Sequence, residues 1–248
     1  MNIWLYSILS VVLVSAVSLV GVFSLSLSKD KLRKITFILV SFAVGALLGD
    51  AFIHLIPEAF EKFGSSLTPS MYIIAGILFF FLMEKFIRWR HCHITNSTEH
   101  LHPVVTMNLV GDGVHNLIDG MVIGASYVVS LPIGIATTLA VLLHEIPQEI
   151  GDFSILVHGG LSVKKALAFN FLSALTAILG AVLSLLMGPS IEGYASALLP
   201  ITAGGFIYIA GSDLIPELHH DVKVSTSLWQ FILITLGIGI MALLILFE

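Results

Sequence analysis

The chain has 248 residues, of which 57% are hydrophobic and 11% charged, with a net charge of −5 and a mean hydropathy of +1.02. Those values lie outside the range of soluble globular domains and describe an integral membrane protein. No nucleic-acid partner is expected, and the single Cys92 excludes an internal disulfide framework.

A membrane-spanning helix takes about 20 predominantly apolar residues, and eight stretches qualify: 3–27, 35–60, 71–86, 104–129, 133–157, 166–187, 194–218 and 228–247. Their connections are short, so residues 1–248 read as one compact transmembrane bundle, all-α, rather than two domains. The first stretch lacks a preceding basic region and a small-residue cleavage site, and is expected to be a retained helix rather than a signal peptide. Lys29, Lys31, Arg33, Lys34, Lys85, Arg88, Arg90, Lys164, Lys165 and Lys223 all follow odd-numbered stretches, and only Lys62 falls on the other side. Basic residues accumulate in cytoplasmic loops. Both termini are therefore expected outside, in the plasma or inner membrane of a cell.

Stretch two ends in Asp50-Ala51-Phe52-Ile53-His54-Leu55-Ile56-Pro57-Glu58. Asp50 and His54 project inward near the outer half and are candidates for the outer part of a transport path. Residues 91–103 form a cytoplasmic loop containing His91, Cys92, His93, His100 and His102, which either binds a metal weakly or is a solvated polar linker.

Stretch four contains Asp112, His115, Asn116 and Asp119, spaced by three and four residues and so on one helical face. Stretch five contains His144, Glu145, Gln148, Glu149 and Asp152 around Pro147. His115 follows Pro103 by twelve residues, as His144 follows Pro132, which places each roughly 18 Å along its helix at about 1.5 Å per residue. That depth is near the middle of a hydrocarbon layer about 30 Å thick. A carboxylate there costs about 2.5–3.5 kcal/mol on the lenient insertion scale, yet residues 91–163 contain no Lys or Arg to compensate it. Protonation or a bound cation remains. Two imidazoles among carboxylates favour a borderline divalent metal, Zn²⁺, Fe²⁺ or Mn²⁺, over calcium or magnesium. Asp112 and Asp152, about one turn from this cluster, are either path residues or partners of the ligands.

Stretch seven ends in Ser212-Asp213-Leu214-Ile215-Pro216-Glu217, so its Leu-Ile-Pro-Glu tetrad aligns with that of stretch two at an offset of 159 residues, which also superposes Gly45 on Gly204. The chain reads as a 3+2+3 arrangement in which stretches 1–3 and 6–8 form an inverted repeat, a pattern found in transporters with a site near the midplane. Asp213 and Glu217 mirror the outer candidates and would serve the cytoplasmic side. Pro57, Pro147 and Pro216 each deprive a carbonyl four residues earlier of its helical partner. The consequence is either a kink for packing or a free carbonyl facing a polar path.

At these residues the chain resembles the ZIP family of metal transporters. His115-Asn116-Leu117-Ile118-Asp119-Gly120 is similar to the family motif His-Asn-Phe-x-Asp-Gly, and His144 to Asp152 is similar to His-Glu-Ile-Pro-His-Glu-x-Gly-Asp. The resemblance implies uptake of Zn²⁺ or a similar metal into the cytoplasm as transported substrate, with no catalytic cofactor, and a homodimer. It implies a binuclear site: His115, Asp119, His144 and residue 148 on one metal, and Asn116, Asp119 and Glu145 on the other. Gln148 departs from the family histidine, and its neutral oxygen is a harder, weaker ligand than imidazole. A weaker first site or a shift toward Fe²⁺ or Mn²⁺ is expected. A passive metal channel would need the same ligands. An intramembrane zinc protease would need His-Glu-x-x-His, which Gln148 breaks.

Overall fold

A computed structural model describes residues 2–21, 28–64, 67–89, 103–188, 193–219 and 224–247. The histidine-bearing loop, residues 91–102, lies outside the described residues, as do His220 and Lys223. Everything described is helical or connecting, without a strand. We number the helical rods α1 (Ile3–Val17, tightening to 3₁₀ over Ser18–Val20), α2 (Lys29–Gly49, widening to a π-helix over Asp50–Leu55 and resuming over Ile56–Phe63), α3 (Leu67–Trp89) and α4 (Pro103–Val129). There follow α5 (Leu131–His158), α6 (Val163–Ala174 and Thr176–Met187), α7 (Tyr194–Tyr208, a π-helix over Ile209–Leu214, then Ile215–Leu218) and α8 (Val224–Leu244).

Each expected apolar stretch thus contains a rod. Five of the described helices are long and apolar enough to cross a membrane on those grounds alone: Ile3–Val20, Lys34–Phe63, Leu67–Lys85, Val163–Met187 and Val224–Leu244. The 27 residues of α4 and 28 of α5 exceed the length needed, but they hold the carboxylates. Large side chains such as Leu78, Leu82, Leu228, Trp229 and Phe231 are exposed along α3 and α8, which in water would be a severe liability and in lipid is the ordinary condition. This is an integral membrane protein.

The packing follows from small residues. A Cβ on Gly45 would lie 2.1 Å from the Ile234 carbonyl oxygen, and one on Gly237 would lie 2.4 Å from that of Phe42, so α2 and α8 touch backbone to backbone. The relation recurs between α3 and α7, where Gly204 faces the Ile73 oxygen and Gly76 the Ile201 oxygen, each at 2.1 Å from the built Cβ. Such small-residue contacts are the usual means of close helix association in lipid. These two interfaces correspond residue for residue: Gly45 and Phe42 match Gly204 and Ile201 at an offset of 159, while Ile73 and Gly76 match Ile234 and Gly237 at 161. The π-helical segments Asp50–Leu55 and Ile209–Leu214 are also 159 residues apart.

Each π-helix ends just before an Ile-Pro pair, and the missing proline N–H explains why: the carbonyls upstream lose an i+4 donor and widen to a longer register. Pro147 behaves differently and is accommodated inside a continuous α-helix. A third close contact joins α4 to α6, with Gly120 against the Ala177 oxygen and Gly180 against that of Leu117. α5 packs beside α4, and between these two rods the polar residues meet.

Candidate metal centre

His115 and Asp119 are one helical turn apart on α4, and their side chains face His144 and Glu145 of α5. One donor atom from each of the four lies within 4.8 Å of the other three. His115 Nε2 is 3.3 Å from His144 Nε2, 3.7 Å from Asp119 Oδ2 and 3.2 Å from Glu145 Oε1. His144 Nε2 is 3.3 Å from Asp119 Oδ2 and 3.6 Å from Glu145 Oε1. Donors about 2.1 Å from a central ion occupy a tetrahedron with edges of about 3.4 Å, the geometry of zinc held by nitrogen and oxygen.

Hydrogen bonding orients the imidazole that is most enclosed. His144 Nδ1 lies 3.2 Å from the Ala140 carbonyl oxygen, which can only accept, so Nδ1 donates that bond and Nε2 is the nitrogen turned to the cluster. Asp119, His144 and Glu145 are almost wholly buried, whereas the His115 side chain is 19% exposed and opens the cluster on one side.

Around the four donors is a shell of amides and hydroxyls. Asn116 is buried and donates through Nδ2 to Asp112 Oδ1 at 2.7 Å, and Ser173 Oγ of α6 donates to Asp112 Oδ2. Glu149 turns toward α6, where Asn170 Nδ2 donates to its Oε2 at 2.5 Å and also reaches the Ser18 carbonyl oxygen of α1 at 3.3 Å. Asn116 Oδ1, Glu145 Oε2 and Glu149 Oε1 are buried and accept no hydrogen bond among the described residues. Buried acceptors in that condition are rare in proteins, and a bound cation would satisfy them.

A cavity of about 620 Å³ begins at His115 and His144. One wall is α4 and α5, with Asn108, Asp112, Gln148 and Asp152; the other is formed by α2, α3 and α7, with Val40, Phe80, Glu84, Tyr208 and Leu214. Gln148 is partly exposed and belongs to this lining.

The other expected path residues are divided. Asp50 and His54 lie on the α2 π-helix at 0% and 3% exposure, away from the cavity, and His54 Nε2 is 2.9 Å from the Met241 carbonyl oxygen of α8. Asp213 and Glu217 fall on the π-helix and final turn of α7, and their side chains lie outside the description.

Residues 1–106 and 90–245 match the profile described as ZIP Zinc transporter. The chain belongs to the ZIP family. It is 35% identical to zinc transporter zipt-7.1 of Caenorhabditis briggsae, over 85% of this chain and 71% of that protein. It is 37% identical to zinc transporter ZIP13 of Pongo abelii, over 84% of this chain and 66% of that protein. With zinc transporter SLC39A7 of Rattus norvegicus the identity is 29%, over 98% of this chain and 72% of the relative. The chain thus spans about two-thirds to seven-tenths of these relatives' lengths. ZIP proteins are transporters and not enzymes, so the protease alternative falls, and zinc is cargo in this family rather than a catalytic cofactor.

Four residues of this ZIP chain that line or brace the site were absent from the expected set. Asn108 extends the Asp112 and His115 stripe by one turn, and the spacing alone would have found it. Asn170 is a lone amide in an apolar helix, a functional candidate by default in a membrane. Ser173 carries no such signal. Glu84 sits beside Lys85 at a helix end, where a charge ordinarily marks the interface.

Proposed function

We propose that this ZIP chain moves a divalent cation, Zn²⁺ foremost, across the membrane toward the cytoplasm, holding it between α4 and α5 by His115, Asp119, His144 and Glu145. The observation that carries this reading is the convergence of four donors, five of whose six separations are 3.2–3.7 Å and all of which lie within 4.8 Å, in a stretch of chain, 91–163, without Lys or Arg. Two nitrogens and two carboxylate oxygens favour a borderline ion. A second ion beside the first would meet Asn116 Oδ1, Glu145 Oε2 and the shared Asp119, which supports the binuclear arrangement. Glu149 braces α5 against α6, and Gln148 offers its oxygen from the cavity side.

In this reading all eight rods cross the bilayer in the 3+2+3 inverted arrangement, with both termini outside. Support comes from the two matching interfaces and the paired π-helices. The side to which the cavity opens is read from its lining, which draws on the N-terminal halves of α2 and α4 and the C-terminal halves of α3 and α5, the ends next to which lysine and arginine gather. By the positive-inside rule that end is cytoplasmic. Opposite it, Asp50 and His54 are sealed, an arrangement that favours a carrier open to one side over a continuous channel. Asp112 and Asp152 would then pass the ion inward.

Flux tests this directly. Purified protein in liposomes holding a trapped zinc indicator should give a saturable signal on adding Zn²⁺, and His144→Ala should abolish it. Folded wild-type protein that yields no metal-dependent signal would refute the proposal.

A further inference from the structure

An amide ligand has a fault that a carboxylate lacks: turned by half a revolution, it presents two N–H donors to the cation instead of its oxygen. In the binuclear arrangement proposed above the second ion relies on Asn116 Oδ1, so the way that amide faces has to be fixed. α4 fixes it locally. Asn116 Nδ2 donates to Asp112 Oδ1 at 2.7 Å and to the Asp112 carbonyl oxygen, one turn earlier, at 3.2 Å. An ionised carboxylate and a carbonyl can only accept. Both amide protons are thereby used, and Oδ1, at a residue 0% exposed, is left without a donor among the described residues. The reverse orientation would press Oδ1 against two acceptors with no proton between them.

Asp112 is held in turn from α6. Ser173 Oγ reaches the carbonyl oxygens of Phe169 at 3.2 Å and Asn170 at 2.8 Å, and Asp112 Oδ2, which is the nearest of the three. A charged acceptor also makes the stronger bond, so the hydroxyl proton goes to Asp112. With Oδ1 given to Asn116 and Oδ2 to Ser173, the carboxylate is held on both sides. The helices that support it are held together as well: Thr176 Oγ1, three residues beyond Ser173, lies 2.6 Å from the Gly113 carbonyl oxygen, and the Gly120 and Gly180 contacts continue the same seam.

We propose that Asp112 and Ser173 are positioning residues for the metal centre, fixing the Asn116 amide with its oxygen toward the second ion. This role rests on the binuclear arrangement proposed above. The carboxylate that borders the way inward therefore has a second task, performed through Asn116 and without touching that ion. The first ion, on His115 and His144, takes no oxygen from this chain of bonds.

Zn²⁺ titrations of the full-length protein in detergent, followed by calorimetry, separate the two ions, the second being the one that Asn116→Ala weakens. Wild type should bind both. Asp112→Ala should weaken the second by roughly 10–100-fold, the range for losing a partner that orients a metal ligand. Its first ion should bind as in wild type, which also reports that the variant is folded. Ser173→Ala removes no charge and should weaken the second ion by a smaller factor, with Ser173→Thr restoring it. In an Asn116→Ala background neither change should cause a further loss, because substitutions acting through one group do not add. Unchanged second-ion affinity in both single variants overturns the assignment, as does a loss shared equally by the two ions. An equal loss recurring in the Asn116→Ala background overturns it too, since the effect would then be one of charge or packing. A wild type that binds a single ion would refute the binuclear arrangement itself, and this role with it.

Discussion

At the scale of single residues, the question is what Gln148 does to the metal. Four donors converge without it, because Glu145 supplies the fourth corner, while Gln148 lines the cavity beside His115 and His144. The family histidine would put a softer nitrogen at this place. A ligand present at 100 times its Kd stabilises a folded protein by about 2.7 kcal/mol, which for a chain of this size corresponds to a rise in Tm of about 5–10 °C. Zn²⁺ should produce a shift of that order in the wild type. Gln148→His should enlarge the Zn²⁺ shift and leave the Mn²⁺ shift nearly as it was, since imidazole favours zinc over the harder ion. Equal enlargement for both metals in a thermal-unfolding series would count against a ligand role for position 148.

Among elements, close helix contacts depend on glycines whose Cβ has no room. Gly45→Ala would drive a methyl to 2.1 Å from the Ile234 carbonyl oxygen, a backbone atom that can retreat only if α8 moves. Overpacking of this kind costs about 1–3 kcal/mol, so the Tm in detergent should fall clearly. Gly239→Ala, with nothing within 4 Å of the added carbon, should be neutral or slightly stabilising, because alanine is the better helix former. Were the two variants to melt alike, the backbone contact would not be what joins α2 to α8. At this scale the sequence was legible in unequal parts. Hydropathy marked the rods, and three- and four-residue spacing put His115 with Asp119 on one face. The entry of Glu145 into the cluster depends on how α4 and α5 are rotated against each other, which linear spacing does not encode. Nor does a proline reveal whether its helix will widen, as before Pro57 and Pro216, or absorb the loss, as at Pro147. Glu84 escaped notice for a related reason: only the partner helix, through Tyr208 and Ser212, turns an interfacial charge into a cavity wall.

For the molecule as a whole, the decisive asymmetry is that one π-helix lines the cavity through Ile209 and Leu214 while in its counterpart Asp50, Ala51, His54 and Leu55 are buried. In the proposed inverted arrangement, a carrier exchanges such environments as it turns from one side to the other. Two engineered thiols can follow that exchange in a Cys92→Ser background. Gly151→Cys would sit in the cavity lining, with nothing within 4 Å of its Cβ, and Ala51→Cys would sit at 0% exposure beside Asp50. A membrane-impermeant thiol reagent applied to the cytoplasmic face should label Gly151→Cys readily in the conformation described here. Applied to the outer face, it should label Ala51→Cys slowly, at a rate set by the population of the opposite conformation. Conditions that raise labelling at one position should lower it at the other, because a single equilibrium governs both. Rapid labelling of both thiols at once, each from its own side, would mean a path open through the whole membrane, and would make this chain a channel.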